Sequence, residues 1–498
     1  MNSKMIKYVI GYILKLEAGF MLVPLALSFF YKEGFKLNGA YLLTIILLIV
    51  SSFLLSRKIP EDQRIYTQEG MVIVSVSWIA LSFFGSLPFV FSERVPSFID
   101  AFFETVAGFT TTGASVIADI EIIEKSLLFW VGFSHFIGGM GILVLALAIL
   151  PKSSNQSLYI MKAEVPGPSV GKMVAKISHN SKILYIMYIC ITIIMIILLR
   201  VGGMPLFDSI IHAFGTVSTG GANIKNSSVG FYNSTYIHFI LGTGMLLCAV
   251  NFNLFYALIL KNYKQVYRNE ELRAYLLIIF MSIIIICINI YPFYQNNIYM
   301  VRDVFFTVSS IITTTGYSTV DFNTWPMFSK TVLMILTFVG GCAGSTTGGI
   351  KVSRIVIVFK KVMGEVKKVG TPNRVIAVKM DGKKIPEEMF SKISTYLVIY
   401  IFIFLGIMLL ISMEFSDFTS AFSVVSATFN NIGTGVGTLG DTFNYSSLSN
   451  ISKIILSISM LLGRLEIFPV LILFSPKIYK NSHFANRQDL TAQVLEPL

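Results

Sequence analysis

Charged residues are scarce in this chain, because Asp, Glu, Lys and Arg together fill only 13% of its 498 positions. An ordinary soluble domain carries about twice that share. Apolar residues fill 54% of the positions, and the mean hydropathy is +0.73. Many of them fall in runs of about 20, the length that crosses the hydrocarbon of a bilayer as a helix. This composition excludes an ordinary soluble domain and predicts a chain that crosses a membrane many times.

Metal-binding and catalytic patterns are missing as well. The four cysteines all lie within apolar stretches and none forms a CxxC pair: Cys190, Cys248, Cys287 and Cys342. Such spacing favours neither a disulfide framework nor a zinc site. The histidines show no ligand spacing, no HExxH motif occurs, and no convergent cluster of acid, base and metal ligand is visible. We therefore expect that the chain is not an enzyme and holds no covalently bound cofactor.

Ten apolar stretches are predicted to span the membrane. Their approximate bounds are 8–31, 41–55, 71–91, 127–150, 183–199, 236–260, 275–294, 331–359, 393–413 and 451–474. The first stretch follows Lys4 and Lys7 but is too long for a secretory signal, and no small-residue cleavage pattern follows it. We expect it to remain as a spanning helix. The eighth stretch is interrupted by a glycine-rich segment.

Basic residues lie between these stretches and form no single face or tail, which argues against nucleic-acid binding despite a net charge of +12. They concentrate in segments 152–182, 261–273 and 360–384, whereas the opposite connections hold scattered residues such as Arg94 and Lys225. Since Lys and Arg accumulate on the cytoplasmic side, both termini are predicted to be cytoplasmic. The longest connection, 360–392, is either an ordinary basic loop or a docking site for a soluble partner.

A short motif repeats four times within the external connections. Its copies begin at Asp100, Asp208, Asp303 and Ser420, and a glycine follows thirteen residues later in each: Gly113, Gly221, Gly316 and Gly433. Each interval between consecutive glycines holds two predicted spans, so consecutive units have the same orientation. The pattern predicts four parallel units, each made of a span, a re-entrant segment and a second span.

The residues of each motif fit an ion filter. Non-helical backbone at membrane depth must line an aqueous path, because its polar groups cannot face lipid. A filter for alkali cations needs stacked backbone carbonyls with small or hydroxyl side chains pointing away, and glycine supplies the dihedral freedom for this. A Gly/Thr/Ser cluster alone is usually a turn, but four in register favour a pore. The expected ion-binding residues are Thr110, Thr111, Thr112, Gly113, Thr219, Gly220, Gly221, Thr314, Thr315, Gly316, Asn431, Ile432 and Gly433.

The order of these motifs resembles a known family. The chain resembles the TrkH/KtrB superfamily of potassium transporters and is closer to TrkH. The resemblance rests on two leading helices followed by TTTGAS, STGGAN, TTTGYS and NNIGTGVG, and on MLLGRLEIFPV at Met460 to Val470. The resemblance covers nearly the whole chain. It implies potassium uptake across the bacterial inner (cytoplasmic) membrane through a gated, channel-like pore, with potassium as the transported ion. Gly220 and Asn431 stand where the other strands have threonine, which predicts weaker selectivity against sodium.

The resemblance also implies an architecture and partners. We expect an all-α integral membrane fold with ten spanning helices and four re-entrant pore loops in a pseudo-fourfold arrangement, plus an N-terminal helical hairpin. The expected units are the hairpin at 1–65, pore repeats at 66–160, 161–265 and 266–385, the last of these with an intramembrane loop, and a fourth pore repeat at 386–498. TrkH relatives imply a homodimer in the lipid bilayer, controlled by a cytosolic, nucleotide-binding ring of the TrkA type.

Two features within the predicted spans suggest a gate. Arg464 interrupts the last span, where a charge costs about 2.5 kcal/mol or more unless it faces water or a partner. It either pairs with Glu466 or another helix, or raises an electrostatic barrier below the filter. The segment GGCAGSTTGG at 340–349 is either a packing kink or, as TrkH relatives imply, a loop that obstructs the pore. The gate residues implied are Gly341, Gly344, Ser345, Thr346, Thr347, Gly348, Lys351 and Arg464.

Competing interpretations are a secondary transporter and a membrane enzyme. Coupled transporters typically use inverted repeats, whereas these repeats are parallel. Glu104, in the first re-entrant segment, binds either a proton or a structural partner, and the sequence does not decide between them.

Overall fold

The structure is a computed structural model that describes residues 1–141, 177–370, 377–435 and 444–475. The second half of the predicted fourth span, the basic residues at 152–176, Arg374 and the chain after residue 475 lie outside the described residues. Helices make up most of what is described.

The N-terminal hairpin consists of α1 (Ser3–Tyr31) and α2 (Phe35–Ser56). The side chain of Asn2 accepts a hydrogen bond from the backbone of Met5 and caps the start of α1. Lys32 adopts a left-handed conformation at its end, with φ 55°, so that the chain turns back into α2. The hairpin packs against the third and fifth helices, and it therefore stands beside the first repeat.

The remaining helices range in length from 4 to 25 residues. In chain order they are α3 (Thr67–Phe91), α4 (Phe98–Phe109), α5 (Lys125–Met140), α6 (Ile177–Val201), α7 (Leu206–Val217), α8 (Thr235–Cys248), α9 (Phe252–Ile259), α10 (Tyr263–Tyr267), α11 (Glu270–Ile290), α12 (Asn297–Ile312), α13 (Met327–Leu336), α14 (Val352–Gly370), α15 (Glu387–Ile411), α16 (Phe418–Phe429), α17 (Asn450–Arg464) and α18 (Phe468–Leu471). Two short antiparallel strands, β1 (Lys379–Met380) and β2 (Lys383–Lys384), follow α14.

Six helices of the described part are long and apolar enough to cross a membrane: α1, α2, α3, α6, α11 and α15. The pair α8 and α9 passes the same test together but is bent by 93° at a break. The prediction of one continuous sixth span at 236–260 is therefore wrong. The tenth stretch is also broken, because α17 ends at Arg464 and Glu466 and Ile467 both have positive φ before α18 begins. The predicted interruption of the eighth stretch is confirmed between α13 and α14.

Four sets of three helices follow one another along the chain, and the middle helix of each set is called its short helix. They are α3–α4–α5, α6–α7–α8, α11–α12–α13 and α15–α16–α17. Neighbouring sets touch through α5 and α7 and through α8 and α12, and α14, which follows the third set, contacts α15 of the fourth. The fourth set returns to the first, since α17 packs against α4. The four short helices therefore belong to one closed arrangement, and each ends at one of the predicted glycine motifs.

Candidate ion filter and gate

The four motifs share one backbone conformation. Each short helix is followed by one capping residue and then by a residue in the left-handed region: Thr111 (φ 54°), Thr219 (53°), Thr314 (56°) and Asn431 (57°). Two residues later the motif glycine also has positive φ: Gly113 (76°), Gly221 (69°), Gly316 (83°) and Gly433 (81°). Non-glycine residues rarely adopt positive φ, so four such residues at equivalent positions indicate a geometry imposed by the repeat.

One carbonyl in each short helix fixes the strand that follows it. The backbone N–H of Thr112 donates to the carbonyl of Ala107 at 2.8 Å, and the N–H of Gly113 donates to the same oxygen at 3.4 Å. The pattern recurs at Gly215, Ser310 and Ala427, with distances between 2.8 and 3.4 Å. These bonds tie the backbone N–H groups of each strand to its own short helix.

Each of the four motif glycines lies close to the backbone of the next strand. A β-carbon added to each would lie less than 3.0 Å from a carbonyl oxygen of the next strand, in the pairs Gly113 with Gly220, Gly221 with Thr315, Gly316 with Ile432, and Gly433 with Thr112. The order runs from the first strand to the fourth and back to the first, so the strands form a closed ring. The close approach explains why these positions need glycine.

A chamber opens on one side of the ring. It has a volume of about 200 Å³, and its lining includes all four motif glycines together with Glu104 and His135. Glu104 is 4% exposed, and its carboxylate accepts hydrogen bonds from the Ser115 hydroxyl at 3.0 Å and the Val116 N–H at 2.9 Å. The carboxylate of Glu104 therefore has hydrogen-bond partners at the exit of the first strand.

On the other side of the ring lies the glycine-rich loop between α13 and α14. Its neck is closed by backbone hydrogen bonds from Gly340 to the carbonyl of Ile350, at 2.9 Å, and from Ile350 to the carbonyl of Phe338, at 3.1 Å. Inside the loop, the hydroxyl of Ser345 lies 2.9 Å from that of Thr347, which accepts from the N–H of Gly341 at 3.1 Å. The loop is therefore a compact unit with its ends held together.

The loop contacts three of the four strands. The hydroxyls of Thr346 and Thr219 are 3.2 Å apart, and the N–H of Gly348 donates to the hydroxyl of Thr314 at 2.8 Å. Gly348 also lies against the backbone of Asn430, where a β-carbon would be closer than 3.0 Å to the carbonyl oxygen. The predicted gate segment is thus in direct contact with the left-handed residues Thr219 and Thr314 of the ring.

The same loop fills the break between α8 and α9. The N–H of Cys342 donates to the carbonyl of Ala249 at 2.9 Å, and the N–H of Phe252 donates to the carbonyl of Gly344 at 3.1 Å. The hydroxyl of Thr346 adds a bond to the carbonyl of Cys248 at 3.3 Å. A broken helix within a membrane needs partners for its freed polar groups, and here the loop backbone supplies them.

Two cations, one buried and one partly buried, contact the loop. The Lys351 ammonium is 1% exposed and donates to the carbonyl of Thr347 and, at 3.4 Å, to that of Gly348. The Arg464 guanidinium donates to the carbonyl of Thr346 at 2.7 Å and to those of Gly138 and Gly139 at 2.6 and 2.8 Å. Arg464 therefore connects the loop to the end of α5.

Of the partners considered for Arg464, Glu466 is engaged elsewhere. Glu466 forms a salt bridge with Arg354, with one N–O distance of 3.0 Å. The sequence analysis missed Arg354, and it also missed Glu271, whose carboxylate accepts from the N–H of Ala343 at 2.7 Å. Neither residue belongs to a recognisable motif, although a charge at the edge of an apolar stretch was a visible signal. Within the described ranges, no cluster of three or more His, Cys, Asp or Glu could hold a metal ion.

Comparisons with known proteins agree over nearly the full length. A family model described as TrkH, a cation transport protein, matches residues 40–484. The Trk system potassium uptake protein TrkH of Escherichia coli (strain K12) is 34% identical over 487 residues, covering 96% of this chain and 100% of that protein. TrkG of the same strain is 33% identical over 485 residues, covering 95% and 98%. The crystal structure of the potassium transporter TrkH from Vibrio parahaemolyticus superimposes with a TM-score of 0.87 at 31% identity, covering 96% and 100% of the two chains.

Proposed function

The chain belongs to the TrkH family of cation transport proteins, and we propose that it takes up potassium through a gated, channel-like pore enclosed by its four strands. The observation that carries this proposal is the closed ring, in which each motif glycine lies against a carbonyl of the next strand. Its relatives are named potassium uptake proteins, and a carbonyl-lined ring is the arrangement that replaces the hydration shell of an alkali cation.

The proposed arrangement of the chain in the membrane follows from its family, its long helices and the ring. Family membership and the long apolar helices make this a multi-pass membrane protein. We assign ten crossings, with α4, α7, α12 and α16 as re-entrant helices, and we keep the five units expected from the sequence. Each re-entrant helix points its C-terminus toward the ring, where a dipole of roughly half a negative charge favours a cation. The basic segments support the proposal that both termini lie in the cytoplasm and that the protein lies in the inner membrane.

The ion path in this proposal has three parts. The chamber beside Glu104 receives the ion, the strand carbonyls coordinate it, and the loop at 341–348 blocks the path beyond the ring. Support for the block comes from the bonds of the loop to Thr219 and Thr314. Lys351 and Arg464 hold the loop in this position, so their release opens the path.

The proposed partners act from the cytoplasmic side. We assign a homodimer and a cytosolic, nucleotide-binding ring of the TrkA type, for which the basic segment from Lys360 to Lys392 offers a docking surface. In that segment the hairpin of β1 and β2 carries Lys379, Lys383 and Lys384. This surface complements an acidic face on a soluble partner.

Uptake and electrical recording together test the function. The wild-type chain is expected to restore growth of a potassium-uptake-deficient strain at low external potassium, and reversal potentials in mixed potassium and sodium should favour potassium. Gly316→Ala should lower uptake at least about tenfold at equal surface expression, because its β-carbon would collide with the carbonyl of Ile432 and because alanine at φ 83° is strained.

Gly406→Ala is the matched control, since a β-carbon there meets nothing within 4 Å. It should transport like the wild type. Equal transport by Gly316→Ala would contradict the filter assignment. Flux that requires a second ion on the same side would instead indicate a coupled transporter.

A further inference from the structure

We propose that Glu271 is a positioning residue that clamps the gate loop and links it to the cytosolic hairpin. This inference rests on the proposed function, because it assigns a regulator to the loop that the proposal treats as the gate. Glu271 lies in the first turn of α11, outside the ring, the loop and their flanking glycines.

One carboxylate oxygen of Glu271 joins the loop to the start of the helix that follows it. Its Oε1 accepts from the N–H of Ala343 at 2.7 Å and from the N–H of Ser353 at 3.0 Å. Ala343 lies inside the loop, whereas Ser353 lies in the first turn of α14. The side chain is 5% exposed. Glu271 therefore fixes where the loop begins relative to where the next helix starts.

The chemistry of this contact favours a strong clamp. The first N–H groups of a helix lack partners within the helix, and a carboxylate beside them interacts favourably with the helix dipole. Hydrogen bonds that an ionised carboxylate accepts are shorter and stronger than neutral ones. Removal of the acceptor leaves the partly buried N–H of Ala343 and the buried N–H of Ser353 without this partner.

The neighbouring residues connect the clamp to the cytosolic side. The N–H of Glu270 donates to Asp381 Oδ1 at 2.8 Å, and the amide of Asn269 donates to Asp381 Oδ2 at 3.2 Å. Asp381 sits at the turn between β1 and β2. The Glu270 carboxylate pairs with Lys360 at 2.5 Å. A displacement of the hairpin therefore pulls on residues 269 and 270, directly before the clamp.

Ion flux through proteoliposomes is the first test. Glu271→Ala should raise basal potassium flux about tenfold or more, since it removes a charged acceptor shared by two backbone donors. Glu271→Gln keeps an oxygen acceptor and should stay within about threefold of the wild type. The reversal potential in mixed potassium and sodium should not move in either variant, because the ring is untouched. Asp62→Ala removes an exposed acid paired with Arg64, outside the gate loop and the basic segment, and is the control that should change nothing.

Deletion of the loop separates the two hypotheses. If removing residues 341–348 leaves flux unchanged, the gate assignment fails. If the deletion raises flux while Glu271→Ala has no effect in the intact chain, the clamp fails and the gate stands. The clamp further requires that Glu271→Ala adds nothing in the deletion background, and an additive increase would contradict it.

The loop itself contains a reporter of its position. Cys342 is 0% exposed, and replacing Cys190, Cys248 and Cys287 with alanine leaves it as the sole thiol. Glu271→Ala should increase the rate at which a hydrophilic thiol reagent labels Cys342 at least about fivefold, whereas Glu271→Gln should not. An unchanged rate would overturn the clamp.

Two further variants complete the design. Glu271→Asp, with a shorter reach, should give an intermediate labelling rate, and it replaces the alanine variant if that one fails to insert. Asp381→Ala should raise labelling by less than Glu271→Ala, and no rise at all would overturn the link to the hairpin.

Discussion

Replacing Arg464 with alanine is expected to open the pore. In the structure its guanidinium donates to the loop at Thr346 and to the end of α5 at Gly138 and Gly139. Without these donors, the loop loses its bond to the first repeat and rests only on the remaining contacts. Opening then requires less free energy, and basal potassium flux rises.

The size of the effect follows from the bond to Thr346. A hydrogen bond to a charged group contributes about 1.5 to 3 kcal/mol, and about 1.4 kcal/mol corresponds to a tenfold change in an equilibrium. Losing this one bond therefore raises the ratio of open to closed pores by about 10-fold to 150-fold. The distance of 2.7 Å from the guanidinium to the Thr346 oxygen places it among the shorter bonds of this type.

Arg464→Lys distinguishes a bridge from an electrostatic barrier. Lysine keeps the positive charge but lacks the planar fork that reaches separate acceptors. If the charge alone blocks cations, the lysine variant should conduct like the wild type. If the bridge holds the loop, it should conduct more than the wild type and less than Arg464→Ala.

The assay is single-channel or macroscopic current in a planar bilayer, normalised to the amount of reconstituted protein. A positive result needs an unchanged reversal potential, which shows that the ring remains intact. Unchanged or lower flux in Arg464→Ala at equal protein would refute the reasoning.

Two other substitutions address the two sides of the ring. Glu104→Leu removes the acceptor for Ser115 and Val116 and should shift the reversal potential toward that of sodium, whereas Glu104→Gln should retain most of the selectivity. Equal reversal potentials in the leucine variant and the wild type would contradict this role. Lys351→Met removes the donor to the carbonyls of Thr347 and Gly348 and should raise basal flux severalfold in proteoliposomes, and a flux equal to that of the wild type would show that the remaining loop contacts suffice.

The repeat was readable from the sequence because it depends on local geometry. Every copy needs a residue in the left-handed region and a glycine two positions later. The spacing from the start of the motif to Gly113 and to its three counterparts is therefore the same in all four copies, although the residues between differ. The composition predicted a helical membrane protein, and the cluster of glycines predicted the interruption of the eighth stretch. These features need no knowledge of distant contacts.

The break between α8 and α9 was not predictable for the opposite reason. Ala249 and Val250 favour no break, and Asn251, which caps α9, is only a weak local signal. The groups freed there bond to Cys342 and Gly344, about ninety residues later in the chain. The partners of Arg464 were hidden in the same way, since backbone carbonyls have no sequence signature. Glu271 looked like an ordinary acidic helix start until the loop was seen against it.

The loop belongs to one quarter of the ring but touches three of the strands, and this asymmetry has a consequence for mutagenesis. In a channel assembled from identical subunits, any substitution is copied around the whole axis. Here each strand is encoded once, so a change at Gly220 or Asn431 alters a single wall of the pathway. Under the proposed function, substituting one, two, three or all four strands should change ion preference in steps while the loop at 341–348 stays unchanged.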